Sequence, residues 1–287
     1  MQKKLIVNFS LPLNNFSFGA LLILKQEIDI LINILKLDII EIYSSKELII
    51  SHLNKLKNQF TIKCTLYSSI NDHLENHAVW PTQELIYTDI DSFQSFKRII
   101  FLNEKYKIKP LLKWNTTTFN NAKSFIKYFA EKNYLVHLKN IPPYKSEESN
   151  ANLDNWKYFF QKNAILKKCH FILIGNDFIP NEILNIPGIY IAKNILSSIY
   201  EEIALINFVN GFLGMASGLA QGIIFSNTPF VIFKHPLHHK KIMERELNSP
   251  YGFSFCNNNQ QIWRKEDSIK NIEKAFLLIN QEKNGQV

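Results

Sequence analysis

Residues 211–236 read GFLGMASGLAQGIIFSNTPFVIFKHP, and this stretch decides the fold class. Gly211 to Gly214 predicts a strand, Met215 to Gly218 a turn of small residues, Leu219 to Phe225 a helix and Phe230 to Phe233 a second strand. A strand that turns into a helix and returns as a strand is the building unit of a parallel α/β sheet. Of nine glycines in the chain, Gly211, Gly214, Gly218 and Gly222 all fall here. Such clustering marks a place where the backbone needs close approach or unusual dihedrals.

The same alternation continues outward. YLVHLKN predicts a strand at Tyr134 to Lys139, HFILIG one at His170 to Gly175, and GIYIA one at Gly188 to Ala192. Helices are expected at Ala122 to Lys132, from Leu153 onward, and at Ser197 to Asn210, where the acid pair Glu201-Glu202 suits the positive end of the helix dipole. Nearer the N-terminus, strands at Lys4 to Phe9, Ile39 to Tyr43 and Thr61 to Tyr67 alternate with helices at Phe18 to Leu37 and Ser45 to Lys57, and a further helix is expected at Asp91 to Tyr106. Beyond Pro236 lie a basic cluster, an irregular region from Pro250 to Asn259 and a closing helix at Glu266 to Gln281. The polar, turn-like WNTTTFNN at Trp114 to Asn121 serves as a boundary or a helix cap. The expected organisation is therefore α/β with two Rossmann-like domains, residues 1–120 and 121–287, whose parallel sheets face a cleft.

Composition agrees with that class. The chain has 287 residues, 46% hydrophobic and 20% charged, enough apolar surface for two cores. Cys64, Cys169 and Cys256 are far apart and lack the spacing of a disulfide framework or a zinc site, which points to a reducing cytoplasm. The N-terminal apolar run breaks at Asn8, unlike an export signal. Ala204 to Phe233 carries no charge, yet Asn207, Asn210, Ser217, Gln221 and Pro229 interrupt it, so buried elements of an α/β core are expected rather than a membrane span. The net charge of +8 favours anionic partners such as nucleotide phosphates or an acidic membrane surface. The lysines are spread without a basic block, which argues against nucleic acid.

The turn around Ser217 and Gly218 carries the chemistry. A strand ending in small residues before a helix presents free backbone N–H groups with the positive helix end behind them, a setting that suits phosphate oxygens. Ser217 adds a hydroxyl, and Gly214 and Gly218 permit close approach. The alternative is that these glycines only allow tight helix-on-strand packing. No GK[ST] follows, and the glycine spacing is not GxGxxG, so neither a Walker loop nor a dinucleotide fingerprint is present.

FLGMASGLAQGIIFSNTPFVIF resembles the donor-binding segment of GT-B-type glycosyltransferases, in particular the heptosyltransferase-like and fucosyltransferase-like groups. YLVHLKN is similar to the strand that opens the donor domain there, with Lys139 where arginine is common. The resemblance spans Tyr134 to Pro236 and departs from the heptosyltransferases at Gln221, which stands near the usual histidine. It implies a nucleotide-sugar donor held by Ser217, Gly218 and Gly214, with Lys139 or His137 neutralising the diphosphate and Gly175, Asn176, Lys193 and Asn194 contacting base or ribose. No metal or other cofactor is then obligatory. The implied activity is metal-independent sugar transfer to a glycan or lipid-linked acceptor in surface polysaccharide synthesis, at the cytoplasmic face of a membrane.

An inverting transfer needs a general base. His73, His77, Asp89 and Asp91 are candidates, each with an ordinary capping or surface role as its alternative. Asn14, Asn15 and Gly19 form the first loop on the acceptor side, and Trp80, beside Pro81, offers an acceptor platform or a core anchor. The cluster Lys234, His235, His238, His239, Lys240 and Lys241 fits a solvated or anion-contacting loop, a metal site or a catalytic group. Other readings of the chain are a nucleotide-sugar epimerase or hydrolase, and a non-catalytic nucleotide or polyanion binder.

Overall fold

The computed structural model describes residues 4–9, 17–37, 39–43, 63–67, 79–90, 95–129, 132–141, 149–166, 169–248 and 251–281. It divides into two compact units, Met1–Lys113 with Lys241–Glu246, and Trp114–Lys240 with Leu247–Val287.

The first unit is built on parallel strands β1 (Lys4–Asn8), β2 (Ile39–Tyr43), β3 (Lys63–Tyr67) and the short β4 (Val79–Trp80), in the order β3-β2-β1-β4. Helix α1 (Phe18–Leu35) opens at Ser17, whose Oγ accepts from the Ala20 amide at 3.2 Å, and closes at Lys36 in the left-handed region. Both ends thus satisfy orphan backbone groups. Leu22, Ile23 and Ile28 of α1 and Ile6, Val7 and Ile42 of the strands are almost completely buried. Within this apolar layer Glu27 is 1% exposed and accepts from Arg98 Nε and Trp80 Nε1, each at 2.7 Å. Trp80, 7% exposed and bonded to Glu27, is therefore a core anchor with little of its ring face open for stacking on an acceptor.

Helix α2 (Lys97–Tyr106) has Phe96 at its N-cap, whose own side chain makes no cap bond, while Ser95 Oγ accepts from the Lys97 amide at 3.0 Å. A carboxylate from far along the chain completes the cap. Glu246 accepts from the Phe96 amide at 2.8 Å and the Lys97 amide at 3.2 Å, and also binds the Ser95 hydroxyl. Burial raises the Glu246 carboxyl above its usual range, against the pull of these hydrogen bonds. Residues 241–246, expected in the second domain, group with the first unit around this contact. Glu246→Ala strands the buried Phe96 amide, the Lys97 amide keeping Ser95 Oγ, and should destabilise the first unit by about 1–3 kcal/mol. Urea unfolding followed by circular dichroism measures this, and an unchanged midpoint would show that the cap contributes nothing.

The second unit opens with α3 (Thr116–Ile126), capped by Asn115, whose side chain accepts from the Thr118 amide at 2.8 Å. The helix expected at Ala122 to Lys132 thus starts inside the WNTTTFNN stretch, because Asn115 is the cap of a helix and not part of a turn. Then follow β5 (Lys132–His137), α4 (Leu153–Leu166), β6 (Cys169–Leu173), α5 (Asn181–Leu184), β7 (Ile189–Ile191), α6 (Ile199–Ala204), β8 (Gly211–Met215), α7 (Ala220–Ile224), β9 (Phe230–Phe233), α8 (Lys240–Glu246), which past Lys240 belongs to the first unit, β10 (Gln260–Trp263) and α9 (Ile269–Ile279). All six strands are parallel, in the order β10-β9-β8-β5-β6-β7. Trp156, Phe159 and Phe160 of α4 and Phe276 of α9 pack with Tyr134 and Phe171 of the strands into one aromatic core. The helix expected at Ser197 to Asn210 is α6 followed by a 3-10 turn, Leu205–Phe208. The uncharged run from Ala204 to Phe233 is divided among this turn, β8, α7 and β9, and no described helix is long and apolar enough to cross a membrane.

Candidate functional site

Parallel strands end together, so the residues just past β10, β9, β8, β5 and β6 form a row: Arg264, Lys234, Ala216, Leu138 and Ile174. In open α/β sheets this edge is where ligands bind. At its middle the Ala216 amide donates to Phe233 O at 2.8 Å, and Ser217 Oγ accepts from the Ala220 amide at 3.2 Å, capping α7. That cap leaves the Ser217 hydroxyl proton able to donate outward. Among the described residues no backbone carbonyl accepts from the amides of Ser217, Gly218 or Leu219.

The glycines divide by role. A Cβ on Gly214 would lie 2.4 Å from His137 O and 2.8 Å from His137 N, so this glycine lets β8 run against β5. Gly214 is thereby required for strand packing, whatever its backbone also contacts. Neither Gly214 nor Gly218 adopts a positive φ, so unusual dihedrals are not what the turn requires. Gly175 does, at +98°, and a Cβ there would come within 2.9 Å of the His137 ring.

His137 is consequently enclosed on two sides and 3% exposed. Its Nε2 lies 3.2 Å from Asp177 Oδ2, and its buried Nδ1 has no hydrogen-bonding partner among the described residues. Burial would raise Asp177, but the hydrogen bonds from His137 and from the Asn140 amide prevail and hold its carboxyl below the ordinary range. The imidazole is thus committed to Asp177. Glu202, expected only as a dipole partner on α6, is 4% exposed and accepts from the Gly175 amide at 2.8 Å. Burial raises its carboxyl above the usual range in spite of the Gly175 bond and the nearby Lys193 charge. Its i+1 position beside Glu201 in a helix carried no sequence signal of this reach to Gly175. Glu201 is buried as well, held by Ser197 and Asn121.

Lys139 follows β5 and donates to Ser149 Oγ. Asn176, Lys193 and Asn194 are exposed at the ends of β6 and β7. Beside the cations, a cavity of about 510 Å³ is lined by Asn140, Asn150, Asn152, His235 and Glu266, among others. The expectation at Lys234 to Lys241 is resolved in part: Lys234 is buried beside the half-buried His239, with Nζ and Nδ1 3.3 Å apart, and no group of three or more His, Cys, Asp or Glu side chains placed to hold a metal occurs among the described residues.

In the first unit, Asp89 is paired with Arg245 through two hydrogen bonds, at 3.0 and 2.8 Å. These bonds lower its carboxyl from the usual range, which makes Asp89 an ion-pair partner and a poor proton acceptor. Gly19 is buried in the first turn of α1. Asn14, Asn15, His73, His77 and Asp91 lie outside the described residues.

No family model matches the chain, and no curated protein does. Solved structures match over nearly all of it. A glycosyl transferase family 9 protein from Veillonella parvula superposes with a TM-score of 0.55 at 11% identity, covering 96% of this chain and 97% of that one. The E. coli heptosyltransferase WaaC, solved with ADP, gives 0.52 at 7% identity and covers 96% and 99%. The chain has the GT-B fold of these glycosyltransferases. The iron-containing dodecameric glycosyltransferase TibC of E. coli shares this GT-B fold, at a TM-score of 0.51 and 11% identity, over 100% of this chain and 80% of that one. In the GT-B fold of the present chain, the Ser217 turn lies at the strand end where the resemblance in sequence led to it.

Proposed function

We propose that the protein is a glycosyltransferase whose second unit binds a nucleotide-sugar donor along the carboxyl ends of β5, β8, β9 and β10. The observation that carries this reading is the Ser217–Gly218 turn set between two cationic strand ends, Lys139 on one side and Lys234 on the other. Outward amides and nearby ammonium groups match a diphosphate, whose charge grows as the glycosidic bond to the sugar breaks. A donor stabilised in this way needs no obligatory metal, and binding should survive chelation by EDTA. The cavity lined by asparagines beside the cations offers hydrogen-bonding groups of both kinds, which suits the hydroxyls of a sugar. The acceptor in this reading is a glycan or lipid-linked glycan of surface polysaccharide synthesis, and the enzyme works in the cytoplasm.

A thermal-shift panel of UDP, GDP, CMP, ADP and dTDP at fixed salt tests the donor site, because a ligand selective for the folded state raises the melting temperature. One nucleotide should stand out. Gly218 needs no positive φ, so Gly218→Val is expected to fold while its side chain obstructs the phosphate, weakening that nucleotide at least tenfold. Undiminished affinity in a folded Gly218→Val protein would remove the turn from the site. Transfer is then shown by nucleoside diphosphate release that depends on added acceptor, whereas turnover without acceptor would indicate an epimerase or hydrolase.

A further inference from the structure

Lys234 occupies a position that packing alone does not account for. It is the first residue past β9 and 7% exposed, and its amide donates to Trp263 O at 2.9 Å, which ties its backbone to β10. The charges that act on it most strongly are Lys139, past β5, and Arg264, past β10. The half-buried His239, whose Nδ1 lies 3.3 Å from Lys234 Nζ, feels Lys234, His238 and Lys139 in turn. A buried ammonium is costly without an opposite charge, and its strongest charged neighbours here are cations. Strand β8 lies between β5 and β9, and the bond from the Ala216 amide to Phe233 O fastens the Ser217 turn to the residue preceding Lys234. Lys234 and the Ser217 turn therefore follow directly on two adjacent, hydrogen-bonded strand ends.

We propose that Lys234 is a phosphate-binding residue, its ε-amine meeting the terminal phosphate of a nucleoside diphosphate held by the Ser217–Gly218 turn and taking up a proton from solvent as it does so. This rests on the donor-binding reading of the same strand ends. Burial, reinforced by Lys139 and Arg264, lowers the amine to about 8, and the same burial with the Lys234, His238 and Lys139 charges lowers His239 to about 3. His239 is accordingly neutral near pH 7 and leaves the positive charge to be gained at Lys234. An incoming phosphate supplies the missing opposite charge and draws a proton onto the amine. By linkage, binding takes up little proton near pH 7 and most of one proton near pH 8.5, and affinity falls up to about tenfold per pH unit above pH 8.

The probe is whichever of ADP, GDP and UDP stabilises the protein most, titrated calorimetrically in two buffers of unlike ionisation enthalpy at about pH 7 and about pH 8.5. The wild-type protein should show proton uptake at the higher pH only. Lys234→Met, which keeps the apolar stem, should abolish that uptake and weaken the diphosphate at least tenfold while leaving the parent nucleoside unchanged in competition. Diphosphate binding by wild type without proton uptake near pH 8.5 would overturn the role of Lys234 and leave the donor site standing. Equal affinity in a folded Lys234→Met protein would do the same. If none of the three diphosphates binds wild type, the donor reading falls and this inference falls with it. Because the proton count is taken on the wild-type protein, it decides even if the variant fails to fold.

Discussion

Arg98→Met should destabilise the first unit by about 3–5 kcal/mol, the usual cost of leaving one partner of a buried ion pair without the other. Arg98 is 4% exposed and Glu27 1%, so water cannot replace the lost guanidinium. Among the described residues Glu27 would keep only the Trp80 Nε1 bond, for a carboxylate whose charge has lost its guanidinium partner. Removing both charges, in Glu27→Leu with Arg98→Met, should recover a good part of the loss, since similarly sized apolar residues can replace a buried pair with little net cost. Urea midpoints for the single and double variants measure the effect. A single variant within about 1 kcal/mol of wild type would mean that the pair is wet in solution.

Gly214→Ala should cost about 3 kcal/mol or more, an effect at the upper end for one added methyl group. The new carbon would meet His137 O, N and C at 2.4, 2.8 and 3.1 Å, all backbone atoms of the adjacent strand that cannot turn aside. Relief requires β5 and β8 to separate at the centre of the six-stranded sheet. The variant thus separates the two glycines that look alike in sequence: Gly214→Ala should lose stability, whereas Gly218→Val should lose affinity and keep its fold. Comparable melting temperatures for Gly214→Ala and wild type would show that the strands do not approach so closely.

The strands that the sequence makes plain are those with continuous apolar runs, such as Phe230–Phe233 and residues 171–173, because a strand covered on both faces must be apolar throughout. Gln260–Trp263 has no such run. It is a strand by virtue of its pairing with β9 and of the Gln260 side chain, which donates to Ser226 O and Thr228 O, and neither partner is near in sequence. Distance along the chain likewise concealed the cap that Glu246 places on α2, the Glu202 bond to Gly175 and the burial of Lys234 between Lys139 and Arg264. The Ser217 turn was legible because its strand, small residues and helix are contiguous. The roles of Trp80 and Asp89 stayed open in the sequence for the opposite reason, since they depend on the distant Glu27 and Arg245.

The capping of α2 by a residue of α8 bears on the order in which the protein can be made. A ribosome releases residues 1–113 first, but at that stage the start of α2 lacks Glu246, and Ile242 and Met243, both buried in the finished protein, have not been synthesised. The first unit must then wait, on the order of ten seconds at ordinary elongation rates, while most of the second is translated. The N-terminal half of this chain is thus the half that finishes folding only after much of the C-terminal half has emerged.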